Sequence, residues 1–359
     1  MIGIEPFVFP GLRSRVIFGH GTVAQTGAEI ERLGRKRALV LSTPNQKADA
    51  EALAGRLDAL SGGVFAEAAM HTPVQVTEKA LSAYEASAAD CVVSLGGGST
   101  TGLGKAIATR TGADQVVIPT TYAGSEMTDI LGETAGGEKT TRRDPSILPE
   151  TVIYDVGLTR SLPPSLTVTS GLNAMAHAAE ALYAPDRNPI VSLMAADAIR
   201  ALCLALPAIA RNPDDRDARA SALYGAWLCG AALGGTSMAL HHKLCHVLGG
   251  SFDTPHAETH AILLPHHRLQ FGESRGPARA DLAGPGRNAG GGAVRLRRIS
   301  RGADETQGFR VGRGRTRAGG GHSGQESILE SSSLRSREPS RASSGRLGRT
   351  ATAAIGPRL

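Results

Sequence analysis

Six residues of this 359-residue chain fall into pairs four apart: Asn173 with His177, His242 with His246, and His256 with His260. That separation puts both members of a pair on one face of a helix. Imidazoles gathered in this way bind a metal, donate hydrogen bonds to a developing oxyanion, or move a proton near neutral pH. A zinc or iron site normally adds a carboxylate or thiolate to its histidines, and here the amide of Asn173 stands where a carboxylate would be useful. A neutral amide is a poor ligand for a divalent cation, so the cluster is expected to hold or protonate a substrate. Any one of these histidines is accounted for as a hydrogen-bonded residue on a helix face; the set together calls for more.

Two further segments suit a phosphate group. Gly96-Gly97-Gly98-Ser99-Thr100 lies between an apolar run and a helical stretch containing Lys105. Consecutive glycines let backbone amides approach a pyrophosphate, and a helix N-terminus supplies a favourable dipole. A tight strand-to-helix turn also uses glycine, and the run does not fit G-x-G-x-x-G. Pro119-Thr120-Thr121 follows the next apolar run, where its hydroxyls and amides either bind a nucleotide or cap the turn.

The elements that must position these groups alternate in the first half of the chain. Arg37–Thr43, Cys91–Leu95, Gln115–Ile118 and Thr151–Asp155 are short apolar runs that read as buried strands. Helical spacing fills Ala48–Leu60, Val74–Ala88 and Gly102–Thr109 between them. Strands buried on both faces and ending in Gly/Ser/Thr loops imply a parallel α/β sheet, which binds ligands at the carboxyl ends of its strands. After Asp155 the texture becomes Ala/Leu-rich and helical, over Ser170–Ala184, Ile190–Ala210, Asp215–Leu233 and Ser237–Leu248, with Ser170 expected to cap the first of these.

Charge divides the chain further. The net charge is +6, yet residues 1–266 hold 21 basic against 26 acidic side chains, and residues 267–359 hold 18 Arg, no Lys and 7 acids. A basic chain invites nucleic acid as a partner, but the positive charge belongs to the tail alone, where only Phe271 and Phe309 offer stacking surfaces. Nucleic acid is therefore not an expected partner. The tail also lacks apolar periodicity and is expected to be aberrant or disordered, as a shifted reading frame near His267 would produce. Cys91, Cys203, Cys229 and Cys245 form no C-x-x-C pair and are expected to be buried free thiols. No membrane-spanning run or basic leader is discerned, so a cytoplasmic setting is expected.

The blocks GGGSTTGLGKAIA (96–108), PTTYAGSEMT (119–128), KTTRRDPSILPETVIYD (139–155), SGLNAMAHAAEALYA (170–184) and HHKLCHVLGGSFDTPHAETHAILLPH (241–266) resemble the iron-containing (group III) alcohol dehydrogenase superfamily, and its maleylacetate reductase branch in particular. The resemblance implies an α/β N-terminal Rossmann-like domain plus an all-α C-terminal domain, the dehydroquinate synthase-like architecture. It assigns residues 1–158 to NAD(P) binding and 159–266 to a helical catalytic domain, incomplete because the 267–359 tail departs from the family. Cofactor contacts are implied at Thr43, His71, Gly97, Gly98, Ser99, Thr120, Thr121, Ser125 and Lys139. The metal-binding positions of the superfamily fall on Asn173, His177, His242 and His256. Their missing carboxylate, together with Gly102 where the superfamily has Asp, suits the branch implied to work without metal, so no metal is expected.

The implied reaction is NADH- or NADPH-dependent reduction of the C=C bond of a dicarboxylate, 2-maleylacetate, to 3-oxoadipate in aromatic-compound degradation, by a homodimer. Leu41-Ser42-Thr43-Pro44 carries no acid to repel a 2′-phosphate, which leaves both nucleotides open. Catalysis is expected from His242 and His246, with Asn173, His177 and His256 alongside. The alternatives are a metal-dependent alcohol or polyol dehydrogenase of the same superfamily, or an inactive frame-shifted product.

Overall fold

The computed structural model describes residues 7–9, 11, 13–252 and 254–267, which all fall within one compact unit. The expectations for the basic tail from residue 268 onward lie outside the described residues.

Six strands form a wholly parallel sheet in the order β1-β8-β5-β4-β2-β3. They are β1 (Arg15–Gly19), β2 (Ala38–Leu41), β3 (Ser61–Phe65), β4 (Cys91–Gly96), β5 (Asp114–Pro119) and β8 (Thr151–Asp155). A parallel sheet must be covered on both faces, and alternate side chains show how. Val40, Val93 and Leu95 join a core with Ile30 of α1 (Thr26–Arg32) and Leu53 of α2 (Lys47–Leu57). Leu39, Leu41 and Val92 pack on the other face with Leu103 and Ile107 of α4 (Gly98–Thr111), beside α3 (Val74–Ala86).

An antiparallel hairpin, β6 (Ile130–Ala135) and β7 (Glu138–Arg143), stands apart from this sheet. Gly136 and Gly137 turn it with φ of 57° and 85°, the pair of positive angles a two-residue type I′ turn demands. The hairpin, β1 and β3 escape the apolar-run reading for physical reasons. β7 is exposed along its whole length, β1 is half-exposed, and β3 is SGGVF, glycine-rich because Gly62 sits 3.1 Å from the Ala38 carbonyl at its Cβ position.

The helical half comprises α5 (Pro164–Ala181), α6 (Pro189–Arg211), α7 (Arg216–Gly234), α8 (Leu240–Phe252) and α9 (His256–Leu263). Ser170 does not cap α5. The helix starts at Pro164, whose fixed φ and missing N–H suit a first turn, and Ser170 Oγ instead accepts the Tyr122 N–H at 2.9 Å. Asn188 and Asp215 cap α6 and α7 through their side chains. α6 is long and apolar enough to cross a membrane, contrary to the expectation that no such stretch exists. In the fold it is a core helix, burying Val191, Ala195, Ala198, Leu202 and Leu206 against α5 and α7. Cys91, Cys229 and Cys245 are buried and Cys203 is half-buried, all as free thiols.

Two contacts lock the helices onto the sheet. Buried Arg219 of α7 donates to the carbonyls of Thr159, Leu162 and Pro213, fastening the segment that follows β8. Gly230 of α7 abuts Gly124 in the loop after β5, where a Cβ would lie 2.5 Å from the Gly124 carbonyl oxygen. Only paired glycines permit this backbone approach, and it brings the sheet loops against the helical half.

Candidate active site

A cleft of about 610 Å³ opens where those loops meet the helices. Its sheet-side wall is shaped by the glycine run. Gly96 has φ 152°, and a Cβ there would lie 2.4 Å from Thr100 Oγ1; one on Gly97 would lie 2.9 Å from Thr121 Oγ1. Gly98 and Ser99 begin α4 and line the cleft. No side chain caps this helix, so its N-terminal amides and dipole are available to a phosphate, and the backbone cradle fits a dinucleotide pyrophosphate.

Of the expected cofactor contacts, His71, Gly98, Ser99, Thr121, Ser125 and Lys139 line the cleft. Thr43, Gly97 and Thr120 do not. Gly97 backs the wall, and Thr120 holds it together: its Oγ1 accepts from Gln46 and its N–H donates to Gly96. His71 and Thr72 both adopt left-handed backbone angles at the rim, a strain concentrated in a loop that no sequence pattern announces.

Lys105 also faces the cleft and was absent from the expected set. Its buried Nζ donates to the carbonyls of Ser125 (2.7 Å), Thr128 (2.6 Å) and Ile130 (3.0 Å) and to Thr128 Oγ1 (3.1 Å). Burial pushes its pKa down to about 7, partly opposed by the carboxylates of Glu126 and Asp129. The visible signal is a cation two turns into the helix, set within the small and apolar run Gly102–Ala108.

The helical wall carries Asn173, His177, His242 and His256. His246 has its backbone in α8, and its side chain lies outside the described set. The group that converges on this wall is not the expected quartet. His177, His242 and His260 place their donor atoms within 4.8 Å of one another, from α5, α8 and α9, and all three are buried. His256 remains half-buried at the cleft edge, its ring 4.3 Å from that of His260. Burial, reinforced by the neighbouring rings, pushes both His177 and His260 far below the usual imidazole range, so both are neutral. His177 Nδ1, His260 Nε2 and Asn173 Oδ1 are buried without a hydrogen-bond partner.

Glu180 completes the site and was also missed. It lies one turn beyond His177 on α5 and accepts a hydrogen bond from His242 Nδ1. Its other oxygen accepts from the Ala239 N–H at 2.8 Å and the His242 N–H at 3.3 Å. Burial works to raise its pKa, but these hydrogen bonds outweigh it, and the carboxylate is held below its usual range. A carboxylate that only accepts fixes the ring of His242, leaving Nε2 for the site's chemistry.

Residues 13–156 match the family model described as "Iron-containing alcohol dehydrogenase", and residues 167–282 match "Fe-containing alcohol dehydrogenase family, C-terminal". The chain belongs to the iron-containing alcohol dehydrogenase family. It is 65% identical over 263 residues to the maleylacetate reductase of Rhizobium sp. (strain MTP-10005), covering 73% of this chain and 75% of that protein. Among solved structures it is similar to maleylacetate reductase from Agrobacterium tumefaciens, at 59% identity and a TM-score of 0.78, covering 83% of this chain and 85% of that one. It is similar also to an iron-containing alcohol dehydrogenase from Corynebacterium glutamicum, at 39% identity and TM-score 0.77, covering 83% and 84%.

Membership of an iron-containing family corrects the expectation that no metal is bound. The geometry agrees with the correction. Three imidazoles with converging donor atoms, two of them carrying unpartnered nitrogens, fit a divalent transition metal despite Asn173 replacing a carboxylate. The expectation weighed Asn173 on the quartet Asn173, His177, His242 and His256. His260 enters in the fold because α9 turns that position, rather than His256, toward His242.

Proposed function

We propose that this chain is a maleylacetate reductase, adding hydride and a proton across the C=C bond of 2-maleylacetate to form 3-oxoadipate with NADH or NADPH. The carrying observation is one cleft that joins the uncapped glycine N-terminus of α4 to Asn173, His177 and His242. The bound nicotinamide supplies the hydride, and a cation held by His177, His242 and His260 would supply polarisation of a substrate oxygen.

The remaining work falls to the chain. The double bond is conjugated to a carbonyl, so charge develops on an enolate oxygen as hydride adds to the β-carbon. Asn173 and His177, one turn apart on α5, orient the substrate from one side of the cleft. His242 donates Nδ1–H to Glu180, which holds its ring with Nε2 directed at the position that would take the cation. The proton reaches the enolate carbon from the half-buried imidazole of His256 at the cleft edge. Lys105 holds the Ser125–Ile130 loop closed beneath the cofactor side.

The proposal extends to a cytoplasmic homodimer serving aromatic-compound breakdown. Following NADH and NADPH oxidation with maleylacetate tests it: turnover with at least one nucleotide is expected. Turnover of simple alcohols or polyols only, abolished by a chelator and restored by iron or zinc, would transfer the chain to the metal-dependent alcohol dehydrogenase reading that the imidazole trio favours.

A further inference from the structure

Behind the helical wall, His241, Cys245 and His260 form a second group whose donor atoms lie within 4.8 Å of one another. None of the three lines the cleft, and their exposures are 0%, 2% and 0%. His241 and Cys245 are four apart on α8, so the helix itself presents an imidazole and a sulfur on one face. His260 meets them from α9, its Nδ1 3.0 Å from His241 Nε2. The next residue, His242, serves the cleft, with its ring at 77° to that of His241. We propose that His241, Cys245 and His260 form a three-ligand site for a zinc-class divalent cation, separate from the His177–His242–His260 group and sharing only His260 with it.

Two imidazole nitrogens and a thiolate are a donor set preferred by borderline-soft cations, with a fourth position left to water. Metal–nitrogen bonds of about 2.0–2.1 Å and metal–sulfur bonds of about 2.3 Å place tetrahedral donors roughly 3.3–3.7 Å apart. Side-chain rotations that draw the donors in by about 1 Å reach this geometry. The His241–His260 separation is already that of two nitrogens sharing one electrophile, and the cation replaces the proton between them. Binding forms bonds to His241 Nε2, His260 Nδ1 and Cys245 Sγ; the thiol proton leaves to solvent, the proton between the two rings moves to the far nitrogen of the ring that carried it, and no electron moves. Because His260 serves both groups, a cation in the rear site fixes that ring and leaves only Nε2, now buried and unpartnered, for the front.

Titrating the full chain with cobalt(II) tests the assignment. Near-ultraviolet thiolate-to-cobalt charge transfer is expected to saturate at one equivalent, to vanish in Cys245→Ser, and to persist in Cys203→Ser. His241→Gln keeps the thiolate and is expected to weaken cobalt binding at least about tenfold, since even outer-shell losses cost 10–100-fold. Cobalt uptake by the unaltered chain without charge transfer, or no uptake at all, overturns the proposal without recourse to any variant. So does charge transfer that survives in Cys245→Ser.

Discussion

On the sheet side of the cleft the site is made from backbone, whereas on the helical side it is made from side chains carried by three separate helices. Gly96, Gly97 and the uncapped start of α4 are consecutive in sequence, and their geometry follows from one strand-to-helix turn. His177, His242 and His260 come from α5, α8 and α9 and meet only once those helices have packed. The first wall tolerates almost any side chain that does not intrude; the second depends on the identity of each one. Substitutions on the two walls should therefore fail in different ways.

The largest effect is expected from His242→Ala. Removing the imidazole that would hold the cation beside the reacting atoms should lower kcat by about 10²–10⁴-fold while leaving nucleotide binding, read by fluorescence titration, unchanged. An unaltered kcat would remove His242 from the mechanism and with it the contrast between the walls. Gly97→Ala should do the reverse. Its Cβ meets Thr121 Oγ1 at 2.9 Å and Cγ2 at 3.0 Å, an overlap costing about 1–3 kcal/mol, which should appear mainly as weakened nucleotide affinity. Adding Thr121→Ala deletes both clashing atoms and should restore affinity; a double variant no better than the single one would mean that the wall is not shaped by this contact.

Lys105 belongs to the backbone wall in another sense, since its ammonium gathers three carbonyls of one loop. Its pKa is pushed down to about 7 in the fold from an ordinary 10.5. Between those values the unfolded chain binds a proton that the native state resists, so this group's contribution to stability grows as pH rises from about 7 toward 10.5. Chemical denaturation across that range should show the rise in the unaltered chain and lose it in Lys105→Met. A slope unchanged by the substitution would place its origin elsewhere.

The same division explains what was legible in the sequence. The strands β2, β4, β5 and β8 are visible because both faces are buried, which makes them unbroken apolar runs. β7 is invisible because it is polar and exposed throughout, although its Gly-Gly turn is plain. On the helical wall the residue types were readable but their partners were not. His256 and His260 share a face of α9, and only the packing of that helix against α5 and α8 decides that His260 joins His177 and His242. Glu180 and Lys105 are charges set among small and apolar neighbours, which a sequence marks as unusual without naming the loop or ring each one holds.

Glu180 gives the finest test, because it acts on His242 through one hydrogen bond. Its pKa is held below the usual carboxylate value, so its contribution to stability is complete above about 4.5, the ordinary value, and is lost as pH falls through its lower folded value. Glu180→Gln keeps the shape and removes the charge. It should cost about 1–3 kcal/mol at neutral pH, as expected for a buried charge-assisted hydrogen bond, and flatten the acid limb of the stability profile. Its kinetic signature separates positioning from mere support. With the ring of His242 no longer fixed through Nδ1, kcat should fall and its pH profile should shift, while the nucleotide KM stays constant because the backbone wall is untouched. A variant that loses stability but keeps both kcat and the pH profile would show that Glu180 ties α5 to α8 without directing the chemistry of His242.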